Sequence, residues 1–200
     1  MVIGTGSLTP LCTSNDAAAG IEELQFTVGI GPCVDAVTSG HPVLVPDLAD
    51  TTDPVVARWQ TFAGPAVQAG VRAVYAFPLR IGAITFGVID LCRSTPGALT
   101  EPEHNHALLV ADTAARAVLD MHTASPTDDA TNLLTGQHAH RSEFHLIQVY
   151  QAAGMMMIQL EVAIDVALLH LRAYAFARDR PIGDVARDVV ERRLKFEPHT

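Results

Sequence analysis

The sequence predicts an α+β domain over residues 1–121, a helical linker over 122–141 and an all-α bundle of three helices over 142–196. Three observations carry this reading. Two runs rich in branched and apolar residues, 71–79 and 83–92, are joined by Arg80-Ile-Gly82 and read as an antiparallel hairpin. Strands and helices alternate around that hairpin, which suggests an antiparallel sheet with flanking helices. From Ser142 onward come three helix-period runs, each too short to bury its own apolar face alone. Ala152, Ala153 and Gly154 stand where two of those helices must approach closely.

The elements follow in order. Residues 1–3 are apolar, Gly4 and Gly6 make 4–7 turn-like, and 8–12 extend again. Residues 16–24 read as a helix, favoured by Ala17, Ala18 and Ala19 and weakened by Gly20. Gly29-Ile-Gly31-Pro32 marks a loop leading into a short helix over 33–38. A strand is expected at 41–45, and a helix over 54–68 that breaks near Gly64-Pro65. After the hairpin, 101–121 is a long helix with apolar Leu108, Leu109, Ala111, Ala115 and Leu119. That stripe predicts pairing with a second copy in a homodimer. The linker is polar around Ser125 and Pro126, and 131–137 could extend as helix. The first tail helix has an apolar stripe at Phe144, Ile147, Met155, Ile158 and Val162, interrupted by the amide of Gln151. The second, 164–178, carries Arg172 among Leu168, Leu169, Leu171 and Ala173. The third begins with Pro181, suited to a first helical position, and buries Ile182, Val185, Ala186, Val189 and Val190.

Composition narrows the function classes. Hydrophobic residues make up 48% and aromatics 6%, enough for a core built mainly from Ala, Val and Leu. No basic segment precedes an apolar N-terminal stretch, and no apolar run approaches the ~18 residues of a membrane span, so a cytoplasmic protein is expected. Cys12, Cys33 and Cys92 are widely spaced without a CxxC, as in reduced, partly buried thiols. Residues 1–140 hold five basic and 14 acidic residues; 141–200 hold eight of each. The acidic front half repels nucleic acid, and the only dense cationic surface is C-terminal.

Few residues point to chemistry. Cys33 beside Gly31-Pro32, with His41 eight residues on, lacks the base and orienting group that nucleophilic catalysis needs. No catalytic residue, metal site or cofactor is expected. His104 and His106 are two apart and face different sides of a helix, and His138 and His140 lie in the linker. Trp59, Phe62 and Tyr75 are candidate walls of a small apolar ligand pocket; the alternative is a lid packed on the core. In the tail, Gln151 and Arg172 are either bridging groups of an interaction bundle or amide and guanidinium contacts to unpaired RNA bases. Arg187, Arg192, Arg193 and Lys195 are expected in solvent.

Two resemblances sharpen this. Gln151-Ala-Ala-Gly-Met155, the step Leu171, Arg172, Ala175 and the close Val185, Ala186, Val189, Val190 resemble the ANTAR family of RNA-binding transcription antiterminators, over about the last quarter of the chain. Gly29 to Cys33 and the strand pair ending Gly87-Val-Ile-Asp-Leu91 look like a GAF domain of the GAF–ANTAR type, over roughly residues 1–121. The resemblance implies a sensor that binds a small ligand or dimerises, joined to a bundle that captures paired RNA hairpin loops and prevents a terminator from forming. It implies RNA contacts at Gln151, Gly154, Met155, Arg172 and Ala175, with Arg187, Arg192 and Arg193 on phosphates. Family members often carry Lys where Ala153 stands and a capping Ser where Ala163 stands. Such domains normally begin with a helix ahead of the first strand, so an in-frame start upstream of Met1 is expected. A dimerising protein-interaction module that never meets RNA is the alternative.

Overall fold

The computed structural model describes residues 2–4, 7–9, 11–123 and 137–197, with side chains over 11–120 and 147–197. The expected helix over 131–137 falls mostly outside the described residues, as do the side chains of His138, His140 and Phe144.

Five antiparallel strands form one sheet in the order β2-β1-β5-β4-β3. They are β1 Val2–Gly4, β2 Ser7–Thr9, β3 Val43–Val45, β4 Ala73–Ile81 and β5 Ile84–Arg93. The β4–β5 hairpin is the spine, with Phe77 opposite Ile89 and a bulge between Leu79 and Arg80. Gly82 turns it at φ 57°, a conformation that favours glycine. Both faces of β4 are covered, so Ala73 through Phe77 are all buried.

Successive β4 side chains point to opposite faces. Ala73, Tyr75, Phe77 and Leu79 pack on α5 (Glu101–Thr123) through Ala107, Ala111 and Ala115. Ala76, with Val88 of β5, meets Cys33 and Ala36 of α2 (Pro32–Ser39). Val74 joins Trp59, Phe62 and Ile21 of α1 (Asp16–Val28). A capping box opens α5: the Thr100 N–H donates to Glu103 Oε2 at 2.7 Å, and the Glu103 N–H donates back to Thr100 Oγ1 at 3.4 Å.

Helix α1 runs four residues beyond the expected end. Asn15 caps it by accepting from the Ala18 N–H at 2.9 Å, and Gly29 closes it in the left-handed conformation. The expected break at Gly64-Pro65 occurs instead at Trp59. Helices α3 (Pro54–Arg58) and α4 (Gln60–Gln68) meet there, and Pro65 lies inside α4. Burial of the Trp59 ring, edge-on to Phe62 at 6.3 Å, sets the corner. Phe62 and Ala63 donate back to the Trp59 carbonyl and restart the helix.

The tail comprises α6 (Gln137–Leu160), α7 (Ile164–Ala177) and α8 (Ile182–Val190). Its core is small and tight: Val149, Ala152, Ala153, Met156, Ala167, Leu168, Leu171, Ala175, Ile182, Val185, Ala186 and Val189. Phe26 of α1 belongs to the same core. The expected α6 stripe is one turn-face off. Ile147 and Ile158 are exposed, as is Gln151, while Val149, Ala152, Ala153 and Met156 face inward. Alanines bring the helix axes close, and the larger isoleucines would not fit that seam. Pro181 precedes α8 as its cap rather than standing at its first position. Ala163 leaves the start of α7 without a side-chain cap, as expected.

Candidate functional site

The sensor half encloses a polar cluster. Gln25 of α1 is 1% exposed; its Nε2 donates to Asp90 Oδ2 at 2.8 Å, and its Oε1 accepts from the Cys33 N–H at 2.9 Å. One side chain thus ties α1 to β5 and to the start of α2. Gly31 makes room for it: a Cβ there would lie 2.8 Å from Gln25 Oε1, and its φ of 142° disfavours other residues. Glu22, one turn earlier on α1, is 7% exposed and hydrogen-bonds the Asp90 carboxyl. Glu22 Oε2 and Asp90 Oδ1 are buried without a hydrogen-bond partner. Burial, then the Asp90 charge, pushes Glu22 up to about 8. Burial also raises Asp90. Burial thus favours a shared proton on this pair.

Cys33 is fully buried, and burial followed by the Asp90 charge pushes its thiol far up, which makes it a poor nucleophile. His41 is exposed, its Nδ1 against the Ser39 carbonyl at 2.8 Å, so the two residues are not brought together. His104 lies against Phe77, with ring centroids 5.6 Å apart and the planes tilted by 59°. Among the described residues no group of three potential ligands could hold a metal ion.

The three candidate pocket aromatics are not one site. Trp59 and Phe62 lie in the core under α1, whereas Tyr75 points to the opposite face of the sheet against α5. Strand alternation separates them: Tyr75 shares its face with Ala73 and Phe77, and Val74 shares its face with Trp59. The Tyr75 hydroxyl donates to the Gly97 carbonyl. All three side chains are buried core. A groove of about 440 Å³ does lie beside α5, lined by Ile89, Leu91, Leu99, His106 and Val110 among others.

The tail residues are scattered by the fold. Gln151 is exposed, with Gly154 and Met155 half-buried near it on α6. Ala175 is wholly buried in the bundle core, so packing occupies it and it has no surface for RNA. Arg187 pairs with Asp184 at 3.0 Å, and Arg193 pairs with Asp188 at 2.7 Å and with Glu191. Arg180 holds Asp188 from the other side at 2.8 Å. These two arginines, Arg180 first, keep Asp188 below the usual carboxylate range. Arg187 is half-buried and Arg193 exposed, as expected of a solvent-facing residue, and both are ion-paired within the chain. Among the described residues Arg178, Arg192 and Lys195 have no carboxylate partner, and Arg178 lies over the Tyr174 ring at 4.9 Å.

Arg172 is turned toward the sensor half. Its guanidinium carbon lies 5.2 Å from the centre of the Phe26 ring, and its Nη1 is 3.5 Å from where a Cβ on Gly29 would stand. Its Nε is buried without a hydrogen bond, and burial lowers its basicity. A cation over an aromatic face contributes about 0.5–2 kcal/mol. A buried unsatisfied donor costs about 1–3 kcal/mol, more for a charged group. The two nearly cancel, so apolar burial of Phe26 is what holds this contact.

Residues 3–118, more than half of the chain, match the model of the GAF domain. The chain belongs to the GAF family. A domain assigned to a two-component sensor histidine kinase protein from Sinorhizobium meliloti 1021 is 20% identical, covering 41% of this chain and 53% of that one, with a TM-score of 0.36. The GAF domain region of a protein assigned to the membrane of Geobacter sulfurreducens PCA is 22% identical over 44% and 56% of the two chains, with a TM-score of 0.37. A type II free methionine-R-sulfoxide reductase from Thermoplasma acidophilum is 20% identical over 50% and 61%, with a TM-score of 0.36. The chain thus spans little more than half the length of these solved chains. No curated protein matches it.

The polar centre of the GAF domain is Glu22, Gln25 and Asp90, none of which was among the expected site residues. Asp90 was the readable signal: a lone carboxylate in the apolar run Gly87-Val-Ile-Asp-Leu91. Among the described residues no single helix is long and apolar enough to cross a membrane; α6 and α7 qualify only as a pair bent by 107°.

Proposed function

We propose that this protein is a cytoplasmic regulator in which the GAF domain governs an ANTAR-type bundle that captures RNA hairpin loops and so prevents a terminator from forming. It catalyses no reaction in this reading, and its input is a small molecule or protein signal received by the GAF domain. One observation carries the proposal. The alanines of the two tail motifs are consumed by the bundle core, while Gln151 stays at the surface beside Gly154 and Met155. Exposed amides and guanidiniums on a rigid helix suit unpaired bases. Arg192 and Lys195 lie at the open end of the bundle and suit phosphates. The protein acts as a homodimer, and exposed Leu108, Leu109 and Val110 on α5 support pairing there. Light scattering at tens of micromolar checks this, and a monomer mass would refute it.

A second reading has its own support. Ile147, Ile158, Leu169 and Phe176 are exposed apolar residues on the bundle, and several tail arginines are already ion-paired. Such a surface suits a protein partner. Titrating the full chain with a two-hairpin RNA at several salt concentrations separates the two. Binding that weakens as salt rises supports the RNA reading; no binding at low salt leaves the interaction module.

A further inference from the structure

Helix α1 faces two ways. Glu22 and Gln25 reach into the GAF domain toward Asp90 and Cys33, while Phe26 and Gly29 meet Arg172 of α7. The Gly29 N–H donates to the Gln25 carbonyl at 2.9 Å, so the residue that reads the sheet also fixes the corner that covers the guanidinium. Among the described residues Arg172 has no ion pair, and its Nε lacks a hydrogen bond. A long cationic side chain is thus half-buried, with its Nε unsatisfied, against a helix of another domain. Such a group is available to a better partner as soon as that helix moves.

We infer that the α1–α7 contact is an autoinhibitory clasp: α1 of the GAF domain covers Arg172, and hairpin RNA gains that guanidinium only when α1 leaves α7. The inference rests on the RNA reading above. Gln25 links the clasp to the sensor, because any change that breaks its bonds to Asp90 or the Cys33 N–H frees α1 to shift.

The test uses the full chain with Phe26→Leu, which keeps apolar packing but removes the aromatic face, and Phe26→Ala. Each is combined with Arg172→Ala, and circular dichroism checks the fold. Binding of a two-hairpin RNA should tighten about tenfold in the Phe26→Ala variant, within the usual range of coupling between sites. Arg172→Ala should weaken binding by a smaller factor in the wild type than in the Phe26→Ala background, where it should abolish the gain. Without RNA, phenylglyoxal should modify Arg172 slowly in the wild type and quickly in the Phe26→Leu variant. A folded Phe26→Leu chain with rapid Arg172 modification and no gain in RNA affinity would overturn the clasp while leaving the RNA reading standing. So would equal loss on Arg172→Ala in both backgrounds. Absence of RNA binding in every variant at low salt overturns the RNA reading, and the inhibitory role with it.

Discussion

A carboxyl buried against another carboxyl keeps its proton, and that proton is lost on unfolding. Glu22 moves from its ordinary 4.5 to about 8 in the folded chain, chiefly by burial. Asp90 shifts upward for the same first reason. Between those two pH values the folded chain binds a proton that the unfolded chain releases, so stability falls as pH rises across the window and levels off above it. Urea midpoints should therefore decline from about pH 5 to about pH 8, by roughly 1–3 kcal/mol in stability. Glu22→Gln keeps an N–H that can donate to Asp90 and removes the titrating group. Its midpoint should change much less with pH and should exceed the wild type's at the alkaline end. An unchanged pH profile in that variant would show that the proton resides elsewhere.

At the scale of elements, what the sequence revealed followed which forces are local. The hairpin, the long α5 and the start of α1 were legible because turn residues, caps and apolar periods act within a few residues. The corner at Trp59 was not, because burial of the Trp59 ring against Phe62 outweighs the local signal of Gly64-Pro65. The inward face of α6 was misread for a related reason. Hydrophobicity pointed to Ile147 and Ile158, but close helix packing selected Ala152 and Ala153. The tail site suffers from this most, since Gln151 reached the surface as expected of a contact residue while Ala175 went into the core. Gly154 shows how to separate packing from function. A Cβ at Gly154 would meet nothing within 4 Å, so the bundle does not require glycine there. Gly154→Ala should stabilise the fold by about 0.5–1 kcal/mol, as expected in an open helix interior. If RNA approaches that backbone, the same variant should bind hairpins more weakly. Higher melting temperature with unchanged affinity would remove Gly154 from the RNA face. Ala163→Ser should stabilise α7 by about 0.5–2 kcal/mol through the missing cap, read as a shift in the urea midpoint.

For the whole molecule, charge sets how RNA binding must behave. Residues 1–140 carry a balance of −9 and the tail is neutral. The tail's attraction for RNA is further reduced by internal pairing, since three carboxylates, Asp184, Asp188 and Glu191, already hold Arg180, Arg187 and Arg193. Arg178, Arg192 and Lys195 are the cations without a carboxylate among the described tail residues from 178 onward. Each phosphate contact to a single strand contributes a slope of about −0.7 in log affinity against log salt, so these three predict a slope of roughly −2. Affinity should then fall only about 15- to 20-fold between 50 and 200 mM salt. Arg192→Ala should flatten the slope and weaken all RNAs alike, because a phosphate contact carries no sequence information. Releasing Arg172 through Phe26→Ala should steepen it by up to one further contact. A wild-type slope several times larger would mean that the ion pairs of α8 open on RNA, and that the cationic face is assembled by the ligand rather than displayed in advance.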